Sequence, residues 1–69
     1  MKTKDIGLAI KDRRRFLKVD QRTLAELSGV AVHTISDIES GKGNPTVESL
    51  TRIGAVLGMT LKFMVAHEP

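Results

Sequence analysis

Near the start of the chain the apolar residues Ile6, Ala9, Ile10, Phe16 and Leu17 recur at mixed three- and four-residue spacings, with Lys11, Asp12, Arg13 and Arg15 on the other face. This pattern predicts a first helix over roughly Lys4–Lys18. Leu24, Ala25 and Leu27 then repeat at helical spacing, Gly29 interrupts them, and Ile35 and Ile38 resume the pattern. A second helix over Gln21–Ser28 and a third from Val32 to Ser40-Gly41, joined by a short Gly-containing turn, make a helix-turn-helix candidate. The small Ala25 admits the third helix close to the second, and Gly29 can take the positive φ of a tight corner. Val30 is placed to pack into the angle between the two helices. Asp20 stands where the second helix needs an acceptor for its first free N–H groups, and Gly41 is a natural residue just past the end of the third.

Gly41-Lys42-Gly43-Asn44-Pro45 reads as a loop. Thr46 caps a fourth helix whose buried stripe is Val47, Leu50, Ile53 and Leu57, and Gly58 closes it. Gly54 inside that stripe costs about 1 kcal/mol against Ala, which implies close contact with another helix. The tail changes period. Met59, Leu61, Phe63 and Val65 fall on one face and Thr60, Lys62 and Met64 on the other, the alternation of a strand; a fifth helix capped by Thr60 is the competing reading. A lone strand has no partner within such a chain and leaves an unpaired edge, so the strand reading implies pairing with a second copy. The expected architecture is an all-α helix-turn-helix fold of four to five helices, with the helix-turn-helix domain over residues 1–58. Residues 59–69 form a C-terminal strand or tail that serves dimerisation. Leu17, Leu24, Leu27, Val30, Ile35, Ile38, Leu50, Ile53 and Leu57 are the expected core.

Composition narrows the functions. A chain of 69 residues has room for one domain, and at that size a monomer buries only about 60% of its unfolded surface. Disulfides are excluded because the sequence has no cysteine. His33 and His67 lie too far apart and too differently placed for a metal site, so self-association is the remaining source of stability. Lys and Arg number 11 against 8 Asp and Glu, a net charge of +3, compatible with a phosphate-backbone partner. The densest charge run is Arg13-Arg14-Arg15, in which Arg13 and Arg15 read equally well as a solvated helix face. No apolar run approaches the ~20 residues of a membrane span, and no signal-peptide pattern opens the chain, so a cytoplasmic protein with no membrane partner is expected. Nothing resembles a catalytic constellation, a phosphate loop or a cofactor site, so neither an enzyme nor a small-molecule substrate is expected. With no Trp or Tyr and only two Phe, a stacking platform for single-stranded nucleic acid is missing.

Arg14, Gln21, Leu24-Ala25, Gly29-Val30, Thr34-Ile35-Ser36, Ile38-Glu39-Ser40-Gly41-Lys42, Asn44-Pro45 and Leu50 through Leu57-Gly58 stand in register with a known pattern. From Ile10 to Gly58 the chain resembles the Xre-type helix-turn-helix regulators, the group of the phage repressor and Cro DNA-binding domains. The resemblance implies a double-stranded DNA operator as partner, a homodimer, and a third helix that enters the major groove. Its outward positions Val32, His33, Ser36 and Asp37 would meet base edges, because Ile35 and Ile38 must face the core. Gln21, Thr34, Lys42 and Asn44 would meet the phosphates; Thr34 can equally bond its own helix backbone. Arg14 and Glu39 match a structural salt bridge of the family.

Three positions depart from the family pattern. Lys18 stands where Gly is frequent, and Ala31 where a capping Ser, Thr or Asp is usual. Asp37 occupies a place where many relatives carry Arg, Lys or Gln, and a carboxylate there repels phosphate unless it accepts from a cytosine amino group. The segment Leu57-Gly58-Met59-Thr60-Leu61 is similar to the HipB-type antitoxins, whose C-terminal strand pairs across a dimer. The implied function is an autoregulating repressor; the alternative is an antitoxin that neutralises a HipA-like kinase toxin by binding it.

Overall fold

Gly7 sits in the middle of the first helix and decides how the domain is assembled. In the computed structural model, which describes residues 3–66, the order is α1 (Thr3–Phe16), α2 (Gln21–Ser28), α3 (Val32–Glu39) and α4 (Val47–Leu57). A Cβ at Gly7 would run into the main-chain carbonyl of Ile38, so α1 rests directly on the backbone of α3. α1 and α2 each pack against both α3 and α4. Between them lies a core of Ile10, Leu24, Val30, Ile35, Ile38, Leu50, Ile53 and Leu57, flanked by Ile6, Val19, Ala25, Val56 and Met59.

Local chemistry sets the helix ends. The Asp20 carboxylate accepts a hydrogen bond from the Thr23 N–H at 2.7 Å, and Thr46 Oγ1 accepts from the Ser49 N–H at 3.0 Å; each satisfies an N–H that the helix cannot. Gly29, at φ 73°, closes α2 by donating its N–H to the Ala25 carbonyl. Buried Ser28 completes the corner, its Oγ accepting from the Val30 N–H at 3.2 Å. α3 starts without help, since Ala31 gives no side-chain cap. After α1, Lys18 takes the left-handed conformation at φ 58°, which costs a residue with a Cβ about 1 kcal/mol.

Several expectations from the sequence are corrected. Leu27 is 64% exposed and Leu17 39% exposed, so neither is core. The buried face of α2 runs through Leu24, Ala25 and Ser28, and Leu27 lies about 100° from its centre. Leu17 falls in the turn, because α1 stops at Phe16 rather than Lys18. Phe16, placed in the apolar stripe of the first helix, is also exposed. Gly54 does not admit another helix. A Cβ there would lie 2.7 Å from the Met59 carbonyl oxygen, and the Met59 N–H donates to the Gly54 carbonyl at 2.8 Å, so the close approach is the chain's own return after α4.

Among the described residues there is no strand, and residues 59–66 form no fifth helix either. Met59 is half-buried against the core, whereas Leu61, Phe63, Met64 and Val65 are exposed. A strand needs backbone partners, and a single chain of this topology presents no edge to supply them. His67 lies outside the described residues.

Candidate nucleic-acid interface

α3 is divided cleanly between two faces. Ile35 and Ile38 are buried on the core side, and Val32, His33, Ser36 and Asp37 are exposed on the other. At 100° per residue those four occupy an arc of about 140°, one continuous outward strip. Thr34 lies at the edge of the strip, half-buried. The loop after α3 turns back beneath it, the Lys42 N–H donating to the Asp37 carbonyl at 2.8 Å, and Lys42 and Asn44 are both exposed there.

The same end of α3 is organised, on its inner side, by the buried carboxylate of Glu39. Arg14 on α1 donates from Nε to Glu39 Oε2 at 2.7 Å and from Nη2 to Oε1 at 2.9 Å, and its Nη1 donates to the Val19 carbonyl at 2.9 Å. Gln21, the first residue of α2, adds a bond from Nε2 to Glu39 Oε1 at 3.0 Å. One carboxylate at the end of α3 therefore gathers α1 and the start of α2. Burial pushes the Glu39 carboxyl up, but the hydrogen bonds from Arg14 and Gln21 and the charges of Arg14 and Lys11 outweigh it and hold the group below its ordinary value. The hydrogen bond to Glu39 raises Arg14 in turn, against its own desolvation. The pair stays ionised.

The inward bond of Gln21 was not legible in the sequence, which offers only its place at a helix start beside a family pattern. Because the amide carries two hydrogens, one directed at Glu39 leaves the other, together with the N–H groups of the α2 N-terminus. Arg13, read as a solvated charge, is also partly committed. Its Nε donates to the Leu57 carbonyl at 2.9 Å, tying α1 to the end of α4, and its guanidinium sits 5.4 Å from the Phe16 ring centroid. Arg15 is exposed. Among the described residues no His, Cys, Asp or Glu cluster could hold a metal ion, and no helix is long and apolar enough to cross a membrane.

A domain in which a short buried corner holds one helix with an open polar strip outward is a helix-turn-helix unit. The helix-turn-helix family profile matches residues 10–64. The chain is 31% identical over 65 residues to the ImmF control region 10 kDa protein of Bacillus phage phi105, a match covering 94% of this chain and 72% of that protein. It is 41% identical over 51 residues to an uncharacterized HTH-type transcriptional regulator of Haemophilus influenzae, covering 74% of this chain. That match takes in 52% of the Haemophilus protein, so the chain spans about half the length of this relative. The chain belongs to the Xre-like family of helix-turn-helix transcriptional regulators, whose partner is double-stranded DNA.

Proposed function

We propose that the protein is a sequence-specific repressor that binds its operator as a homodimer and regulates its own promoter. The observation that carries this reading is the outward strip of α3. Val32, His33, Ser36 and Asp37 are exposed side by side while Ile35 and Ile38 anchor the same helix, the division a helix needs in order to lie in a major groove. In this reading Val32 meets a thymine methyl, and His33, Ser36 and Asp37 meet polar base edges. Gln21 with the N-terminus of α2, Thr34, Lys42 and Asn44 hold the phosphates on either side and set the register. Arg14 and Glu39 touch no DNA; they keep the start of α2 and the end of α3 in fixed relation.

Dimerisation is proposed through the tail. Phe63 is 96% exposed, and Leu61, Met64 and Val65 are exposed around it. Pairing with a second copy would give this segment the backbone partners it lacks and remove apolar surface from water. Two recognition helices would then address half-sites about one helical turn apart. The same surface supports the alternative reading, in which the tail or its neighbours bind a kinase toxin. The Bacillus phage relative, named for a control region, favours the repressor.

The test compares wild type and Gln21→Ala on the protein's own upstream region and on unrelated duplex across a salt series. The repressor reading expects strong preference for the upstream region, a steep salt slope, and weaker binding by the variant with the slope unchanged, because Gln21 carries no charge. Equal, weak binding to both duplexes would move the function to a protein partner.

A further inference from the structure

The recognition helix carries an unusual charge for its place. Val32–Glu39 contains no Lys or Arg, and the charge of Glu39 is taken up by Arg14. That leaves Asp37 as the uncompensated charge of the outward strip, a carboxylate in a chain of net charge +3. Its side chain is exposed and makes no hydrogen bond or ion pair among the described residues. It caps nothing and steadies nothing in the fold, and a bare carboxylate facing a phosphate-lined groove opposes binding. Such a group is tolerated there only if the groove offers it a donor.

The major groove offers two kinds of amino donor, cytosine N4 and adenine N6. Adenine sets its N7 acceptor immediately beside N6, so the second carboxylate oxygen would face a lone pair. Cytosine exposes N4 without an acceptor on the same base edge. We infer that Asp37 is a specificity-determining residue, reading a cytosine in each operator half-site through a hydrogen bond from the cytosine N4 amino group to its carboxylate. The inference rests on the DNA-binding reading and deepens it. His33 lies one turn earlier on the same strip, about 6 Å away along the helix axis, so it addresses a neighbouring base pair. Charge repulsion disfavours every sequence, and the hydrogen bond returns affinity only where the donor is present. Asp37 therefore acts by lowering binding to wrong sites as much as by favouring the right one.

Selection of bound duplexes from a random library, with sequencing, tests this on the wild type, Asp37→Asn and Asp37→Ala. The wild type should select a C·G pair at one position per half-site. Asp37→Asn should move that position to A·T, since an amide pairs with adenine N6 and N7. Asp37→Ala should relax it, and should also bind unrelated duplex more tightly than wild type. At that position the wild type should lose roughly five- to hundredfold in affinity when C·G is replaced, with the other positions unchanged. Because the side chain is exposed and unpaired, the circular dichroism and melting temperature of the variants should match the wild type. Identical selected sequences for all three proteins, or a shared position that is not C·G, would overturn the assignment. A wild type that enriches nothing would overturn the operator reading itself and this inference with it.

Discussion

Glu39 keeps its charge inside the protein because Arg14 supplies two hydrogen bonds and Gln21 a third. Its side chain is 3% exposed and that of Arg14 12%, so little water is left to compensate either charge if its partner is lost. Removing one member of such a pair costs about 3 kcal/mol. The pH dependence follows from the direction of the shift. A carboxyl held lower in the folded than in the unfolded state contributes stability that is fully present above the ordinary glutamate value, about 4.3, and is lost as pH falls through the lower folded value. The melting temperature of the wild type should therefore drop on acidification below that value. Glu39→Gln should melt lower at neutral pH and show a shallower acid fall; equal acid slopes for the two proteins would remove Glu39 from the account. At this scale, what could be read from the sequence is what depends on near neighbours. Asp20 before Thr23, Gly29 after Ser28 and Thr46 before Ser49 are caps and corners closed within four residues. The bond from Gln21 to Glu39 spans eighteen residues, and no local pattern announces it.

Between elements, the decisive contact is α1 on α3. Gly7 lets the Ile38 carbonyl approach where any Cβ would collide, and the obstacle is backbone, which cannot swing aside. Gly7→Ala should destabilise the domain by about 3 kcal/mol, although in an isolated helix the same change would stabilise by about 1 kcal/mol. Thermal or urea unfolding reads the sign directly, and a stabilised variant would mean that the two helices are not in contact. The sequence pattern predicted α2 over its observed Gln21–Ser28 and the start of α3 at Val32, while α3 ends at Glu39 rather than at the expected Ser40-Gly41. It failed on orientation in α2. Leu24 and Leu27 are both apolar and three apart, and the pair does not say which flank turns inward; the small residues Ala25 and Ser28 do, because α3 must come close there. α3 also holds its place with no cap at Ala31, since burial of Ile35 and Ile38 replaces what a cap would supply.

At the scale of the molecule the exposed apolar tail is the surface that the proposed dimerisation would cover. Beside it lies a groove of about 200 Å³ whose lining includes Ile6, Ile10, Leu50, Gly54, Met59 and Leu61, and Phe63 and Val65 further along the tail are exposed. If two tails pair, the melting temperature should rise with protein concentration, and Leu61→Pro or Phe63→Pro should give monomers whose four helices remain folded, as read by sedimentation and circular dichroism. A dimer that survives both changes would sink the pairing of tails. By itself the sequence determined the helices, the corner between α2 and α3 and the side of α3 that carries Val32, His33, Ser36 and Asp37, because helical period, caps and a positive-φ glycine act over a few residues. Tertiary structure alone decided that Leu17 and Leu27 lie outside the core, that Gly7 is a close-approach site, that Gly54 meets the returning chain at Met59 rather than another helix, that Gln21 turns to Glu39 and that residues 59–66 form no strand in one chain. Those outcomes depend on what stands opposite each residue across the fold, and that is set only when the helices pack.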